Sequence, residues 1–183
     1  MKKIFLLATS ALICASTFAS APDFEIPDRT EEYNTMTAEQ IREDNATALK
    51  AAQYFFTTEL PADKDYALDA VKFALLWASK SDDIKIDVDH DLFKQFSTAE
   101  KKDVTAILFG AYICGCVAYD LDGHISNEFT LDMNYNAVKS ILGYYKKNRE
   151  YFGKIPGLDK WQEMDEKGEL RTKFEKKFAK EED

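Results

Sequence analysis

Sixteen consecutive residues, Val104 to Tyr119 (VTAILFGAYICGCVAY), carry no charged side chain. A helix that is apolar all round has to be surrounded by protein, because no face of it is suited to water. This stretch therefore sets the plan of the molecule: it is the central helix, and everything else packs around it. Gly110 and Gly115 lie five residues apart, about 140° around a helix axis. Two different faces are thus open to close backbone approach.

The surrounding elements follow from apolar spacing. Thr37-Ala-Glu-Gln40 has the capping-box pattern that starts a helix, and Ile41, Ala48, Ala52 and Phe55 continue it at helical spacing until Thr58. Leu60-Pro61-Ala62-Asp63 breaks the run. A second helix is expected over 66–80, with a core stripe of Ala67, Val71, Ala74, Leu75 and Ala78 and with Phe73 and Trp77 beside it. Ile84, Ile86 and Val88 alternate with polar residues, but one alternating run has no partner strand. Residues 81–97 are therefore expected to form an extended crossover with a helical turn around 92–96. Ser97-Thr-Ala-Glu100 is a second capping box and opens the central helix. A fourth helix runs from Thr130 to about Arg149 on a stripe of Leu131, Tyr135, Val138, Leu142 and Tyr145. Two shorter ones follow, split at Gly168, the second carrying Leu170, Phe174 and Phe178 on one face that closes over its own core.

The fold class is accordingly all-α: a compact bundle of about five or six helices around a central apolar helix. Residues 69–80 and 136–147 share Ala, Val, Lys, Leu and a final Lys, so two tandem αα-hairpins are an alternative arrangement, although solenoids usually need three repeats or more.

The N-terminus reads as an export signal. Lys2 and Lys3 precede an apolar run from Ile4 to Phe18 and then small residues, and the run is shorter than the roughly 20 residues a membrane span needs. Cleavage is expected after Ala19, since a cut after Ala21 would place Pro22, which has no N–H, just beyond the scissile bond. Ile13 before Cys14 is wrong for a lipid-attachment motif. The expected organisation is a signal peptide over 1–19, an extended or disordered leader over 20–36 and a single helical domain over 37–183, periplasmic or secreted. Removing Lys2 and Lys3 from a chain of formal charge −9 leaves −11. Such an acidic chain is a poor ligand for nucleic acid or an anionic membrane. The charge is uneven: residues 23–44 hold eight acids and two arginines, and residues 139–180 hold twelve basic residues and seven acids. A solvated helix surface explains the latter better than a basic docking face.

Chemistry is signalled at one place. Residues 119–129, YDLDGHISNEF, have the rhythm of an EF-hand loop, with Asp120 and Asp122 as ligands, Gly123 at the turn and Ile125 at the aliphatic position. Ala118 falls where the first ligand belongs, and Glu128 arrives one residue early. The loop is therefore a degenerate calcium site at best, with Asp120, Asp122 and Glu128 as its metal ligands, and a plain Asp-Gly turn between helices is the preferred reading. His90 and His124 sit beside aspartates and could share a mixed site if the fold joined them, but solvated loop histidines are the simpler account. Cys114 and Cys116 lie about 200° apart on one helix and cannot bond to each other. Buried, inert thiols are expected, an outward-facing reactive one being the alternative.

No phosphate loop, His-Glu-x-x-His, Gly-x-Ser-x-Gly or Cys-x-x-Cys occurs. The chain is thus expected to need no cofactor beyond weak calcium. It is read as a non-catalytic protein-binding module (an adaptor, inhibitor or immunity-type protein) with an unknown protein partner. The alternative is a carboxylate-dependent hydrolase of cell-wall polymer, for which no acid pair stands out.

Overall fold

A computed structural model describes residues 22–88, 90–99 and 102–181; the expected signal peptide lies outside them. Within these residues the protein has nine helices: α1 (Ala38–Glu43), α2 (Asn45–Thr57), α3 (Lys64–Lys80), α4 (His90–Phe96), α5 (Lys102–Leu121), α6 (Leu131–Lys147), α7 (Arg149–Phe152), α8 (Pro156–Glu166) and α9 (Leu170–Glu181). Three of these, α1, α4 and α7, have seven residues or fewer. The remaining six are the bundle that the apolar spacing implies.

The apolar helix α5 is central, with α2, α3 and α6 packed on it. By length and composition it could cross a membrane. Its side chains instead meet protein on several sides: Val104, Leu108, Ala111, Cys114, Cys116 and Val117 have no exposed surface. The two glycines are where neighbours come closest. A Cβ on Gly110 would lie 2.7 and 2.8 Å from the Val71 methyls of α3, and one on Gly115 would lie 2.8 Å from the Ala137 Cα of α6. Val71 and Ala137 occupy adjoining positions of the two similar segments, so each segment closes over one α5 glycine. Helices α3 and α5 run side by side in the same direction. Lys64 pairs with Asp103 at their starts (3.6 Å), and Ile84 and Ser126 form a single parallel bridge just beyond their ends.

Several local expectations are corrected. The first helix is broken at Asp44, because the Asp44 carboxylate is held by the Tyr33 hydroxyl (2.7 Å) and by Arg29 (3.2 Å). The capping box at Thr37 and Gln40 is present. Leu75, expected in the core, is 50% exposed. Helix α3 buries Ala67 and Ala74 of the expected stripe, the adjacent Phe73 and Trp77, and Ala70, because the alanines admit the neighbouring backbones and the two rings fill the space between. The buried face of α6 is broader than the expected stripe and includes Met133, Asn134, Ala137, Ile141 and Tyr144. Ser97 does not cap α5: its hydroxyl donates to the Lys94 carbonyl at the end of α4 (3.2 Å), and Glu100 lies outside the described residues. Leu170 and Phe174 are buried, and the Phe178 ring meets Phe129 at 5.5 Å between centroids, so that face does close over the molecule's own core.

Residues 22–36 form one short 3-10 turn, Glu32–Asn34, and otherwise irregular chain. They carry no apolar period, yet Tyr33 is buried against Phe73 and Phe24 sets its ring edge-on to Tyr54.

Candidate functional site

The residues singled out for calcium lie where α5 turns toward α6. Gly123 takes a positive φ of 93°, a conformation that costs glycine little and reverses the chain there. Behind it, Asp120 is still in the last turn of α5, and its side chain points inward. It is 0% exposed. One carboxylate oxygen accepts the Ser126 N–H (3.0 Å), and the backbone carbonyl accepts the His124 N–H (2.9 Å). The other carboxylate oxygen is buried without a hydrogen-bond partner.

Burial pushes the Asp120 carboxyl up to about 6. The Ser126 N–H offsets part of that rise, the nearby Asp83 charge adds to it, and His124 opposes it. Asp83 itself stays well ionised, held below its ordinary range by Arg42. That guanidinium grips both Asp83 oxygens at 2.7–3.0 Å. Asp120 thus fastens the α5–α6 loop through Ser126, and Ser126 in turn pairs with Ile84 in the crossover. This is a structural latch made from a carboxylate in an unfavourable setting.

The other two candidate ligands do not join it. Asp122 and Glu128 are exposed, and the Glu128 N–H donates to the Ser126 hydroxyl. Among the described residues no three His, Cys, Asp or Glu side chains come together as a metal ion requires. His124 stacks on Tyr119 with ring centroids 4.2 Å apart and donates from Nδ1 to the Tyr119 carbonyl (3.0 Å). Asp89 lies outside the described residues, as does the His90 side chain. Calcium at 100 times its dissociation constant would stabilise the fold by about 2.7 kcal/mol, or roughly 5–10 °C. We expect a melt of the mature protein in millimolar calcium to coincide with one in chelator. A shift of that size, lost in Asp120→Ala, would reverse this reading.

Cys114 and Cys116 are both free and buried, and burial raises both thiols. They are inert packing residues, as expected for thiols held away from water. A polar seam missed from the sequence runs down the same face of α5: Tyr112, Cys116 and Asp120 are spaced by four residues. The Tyr112 hydroxyl lies within hydrogen-bond distance of the Asp87 carbonyl (3.0 Å) and the Asn134 amide oxygen (3.1 Å). The i, i+4 spacing was the available signal, hidden because Asp120 reads as the first solvent-facing residue after the apolar stretch.

Two grooves stand out among the described residues. One, about 560 Å³, lies between the 22–30 segment and α3, with Ile26, Phe73 and Leu76 in its floor and Asp28 and Asp69 on its rim. The other, about 740 Å³, follows α9 and is lined by Lys173, Lys176 and Lys177 together with Asp91 and Glu169. All four of these acids are exposed, and Asp120 lines neither groove. No protein-family model, no curated protein and no solved structure matches the chain.

Proposed function

We propose that the chain is an exported, non-catalytic protein-binding module. The observation that carries this reading is an apolar strip left open on one flank of α5. Leu75 of α3 is 50% exposed and Phe93 of α4 is 49% exposed. Leu75 lies one turn beyond Val71, which covers Gly110. The Phe93 ring packs on Phe109 at 5.7 Å, and Phe109 and Ile113, one turn apart on α5, are themselves only half-buried. Single exposed hydrophobics are ordinary, but several large ones left open beside one core helix are what protein interfaces use. The chemistry points the same way. Acid–base hydrolysis needs two carboxylates facing one another in a cleft, one of them desolvated. The groove carboxylates are solvated, and the buried ones among the described residues, Asp44, Asp63 and Asp120, are each engaged within the fold, by Tyr33 and Arg29, by the Glu59 N–H and by the Ser126 N–H respectively.

Export rests on the N-terminal pattern of Lys2, Lys3 and the apolar run that follows. The test joins both parts. The protein purified from the cell envelope or medium should begin at Ser20. When crosslinked in its native compartment it should give a defined adduct that disappears in Leu75→Lys/Phe93→Lys while the melting temperature is kept. Release of soluble fragments from purified cell-wall polymer by the wild-type protein would instead establish the hydrolase.

A further inference from the structure

The strongest concentration of positive charge on this acidic chain is α9, LRTKFEKKFAKE, with five basic residues and two acids. Its Lys173, Lys176 and Lys177 line a groove of about 740 Å³ together with Met164 of α8 and two acids, Asp91 of α4 and Glu169, and the Lys173 ammonium lies over the Trp161 ring at 5.1 Å. The strongest concentration of negative charge is the irregular segment 22–36, where Asp23, Glu25, Asp28, Glu31 and Glu32 are all exposed. The one basic residue there, Arg29, is turned inward to Asp44 (3.2 Å) and also pairs with Glu32. That leaves Asp23, Glu25, Asp28 and Glu31 as an outward row on chain that is not committed to helix.

The two features sit on different parts of the bundle. The acidic segment packs against α2 and α3 through Phe24 and Tyr33, whereas α9 packs on α6 and α8. We infer that the lysine groove of one copy receives the acidic N-terminal segment of a second copy, giving a head-to-tail self-association. Such a contact uses two different surfaces, so each copy keeps one free end and the assembly extends unless a rotation closes it. The overall negative charge does not forbid it. At about 0.1 M salt the Debye length is about 10 Å, so remote acids are screened while charges meeting across the groove are not. Exposed ion pairs are individually weak, and the association should accordingly be of low affinity and lost at high salt. This contact is separate from the Leu75–Phe93 strip, and its failure would leave the binding-module reading untouched.

Sedimentation of the mature protein tests it at roughly 0.5 mM, a concentration chosen for weak binding. The mean mass should exceed that of the monomer at about 0.1 M salt and return to it near 1 M. Lys176→Gln/Lys177→Gln should be monomeric at both, and so should Asp23→Asn/Glu25→Gln. Mixed together, these two variants retain one intact groove and one intact acidic segment, so they should form a one-to-one dimer that grows no further. A wild-type protein that stays monomeric at the lower salt, or a mixture that gives no dimer, overturns the proposal.

Discussion

Gly115→Ala is expected to lower stability by about 3 kcal/mol, the upper end of the range for overpacking a core, and the melting temperature by roughly 6–12 °C. The new Cβ would stand 2.8 Å from the Ala137 Cα, 3.0 Å from its Cβ and 3.2 Å from its carbonyl oxygen. Two of those three atoms are backbone, so relief requires α6 as a whole to move away from α5. Alanine is the better helix former by about 1 kcal/mol, and the cost has to exceed that gain before any loss is seen. Gly110→Ala is the informative comparison. There the obstacles are the two Val71 methyls at 2.7 and 2.8 Å, which belong to a side chain on the half-buried edge of α3. A small tilt of α3 or a rotamer change relieves them, so the loss should be about 1 kcal/mol or less. Chemical denaturation of both variants checks the order. If Gly115→Ala melts no lower than Gly110→Ala, the α5–α6 contact is not the tight joint of the bundle.

That contrast also shows how much of the architecture the sequence carries. An uncharged sixteen-residue run places α5 at the centre, and two glycines on different faces leave two sides open to close neighbours. The identity of those neighbours was not legible, because Val71 and Ala137 are unremarkable members of amphipathic patterns. Within α3 the expected face differs at Leu75, since a large apolar side chain beside the alanine stripe reads as part of it whichever way it points. At a close helix crossing the small residues are the ones inside, and Leu75 is turned out to the surface. Helix α1 and the break at Asp44 depend on Tyr33 and Arg29, from a segment with no periodicity of its own. The candidate site was legible only in its location. The sequence drew attention to Asp120, but it treated the residue as the first of a loop. The carboxylate is the last buried position of the 112, 116, 120 face, and no local pattern distinguishes the two.

The inward placement of Asp120 has a consequence that a pH series should reveal. Its carboxyl is raised from 3.8 to about 6 in the folded protein by burial first of all. Below about pH 4 the group is neutral in both folded and unfolded chains and contributes no difference. Between pH 4 and 6 the unfolded chain releases its proton while the folded chain keeps it. Stability therefore falls as pH rises through this window, because the native state binds more protons than the unfolded one. Above pH 6 the fold carries an ionised, half-partnered carboxylate beside Asp83, and the penalty levels off at about 2–3 kcal/mol. Asp120→Asn keeps the acceptor for the Ser126 N–H and removes the charge. The variant should match the parent near pH 4 and exceed it above pH 7 by about that amount, or roughly 5–10 °C in melting temperature. His124→Gln serves as the control for the other titratable group at the loop and should leave the window in place. An Asp120→Asn advantage that is the same at pH 4 and pH 8 would mean the effect comes from packing. A variant that matches the parent near pH 4 but is less stable above pH 7 would mean the charge is needed, and that the unpartnered oxygen meets a cation or water in solution.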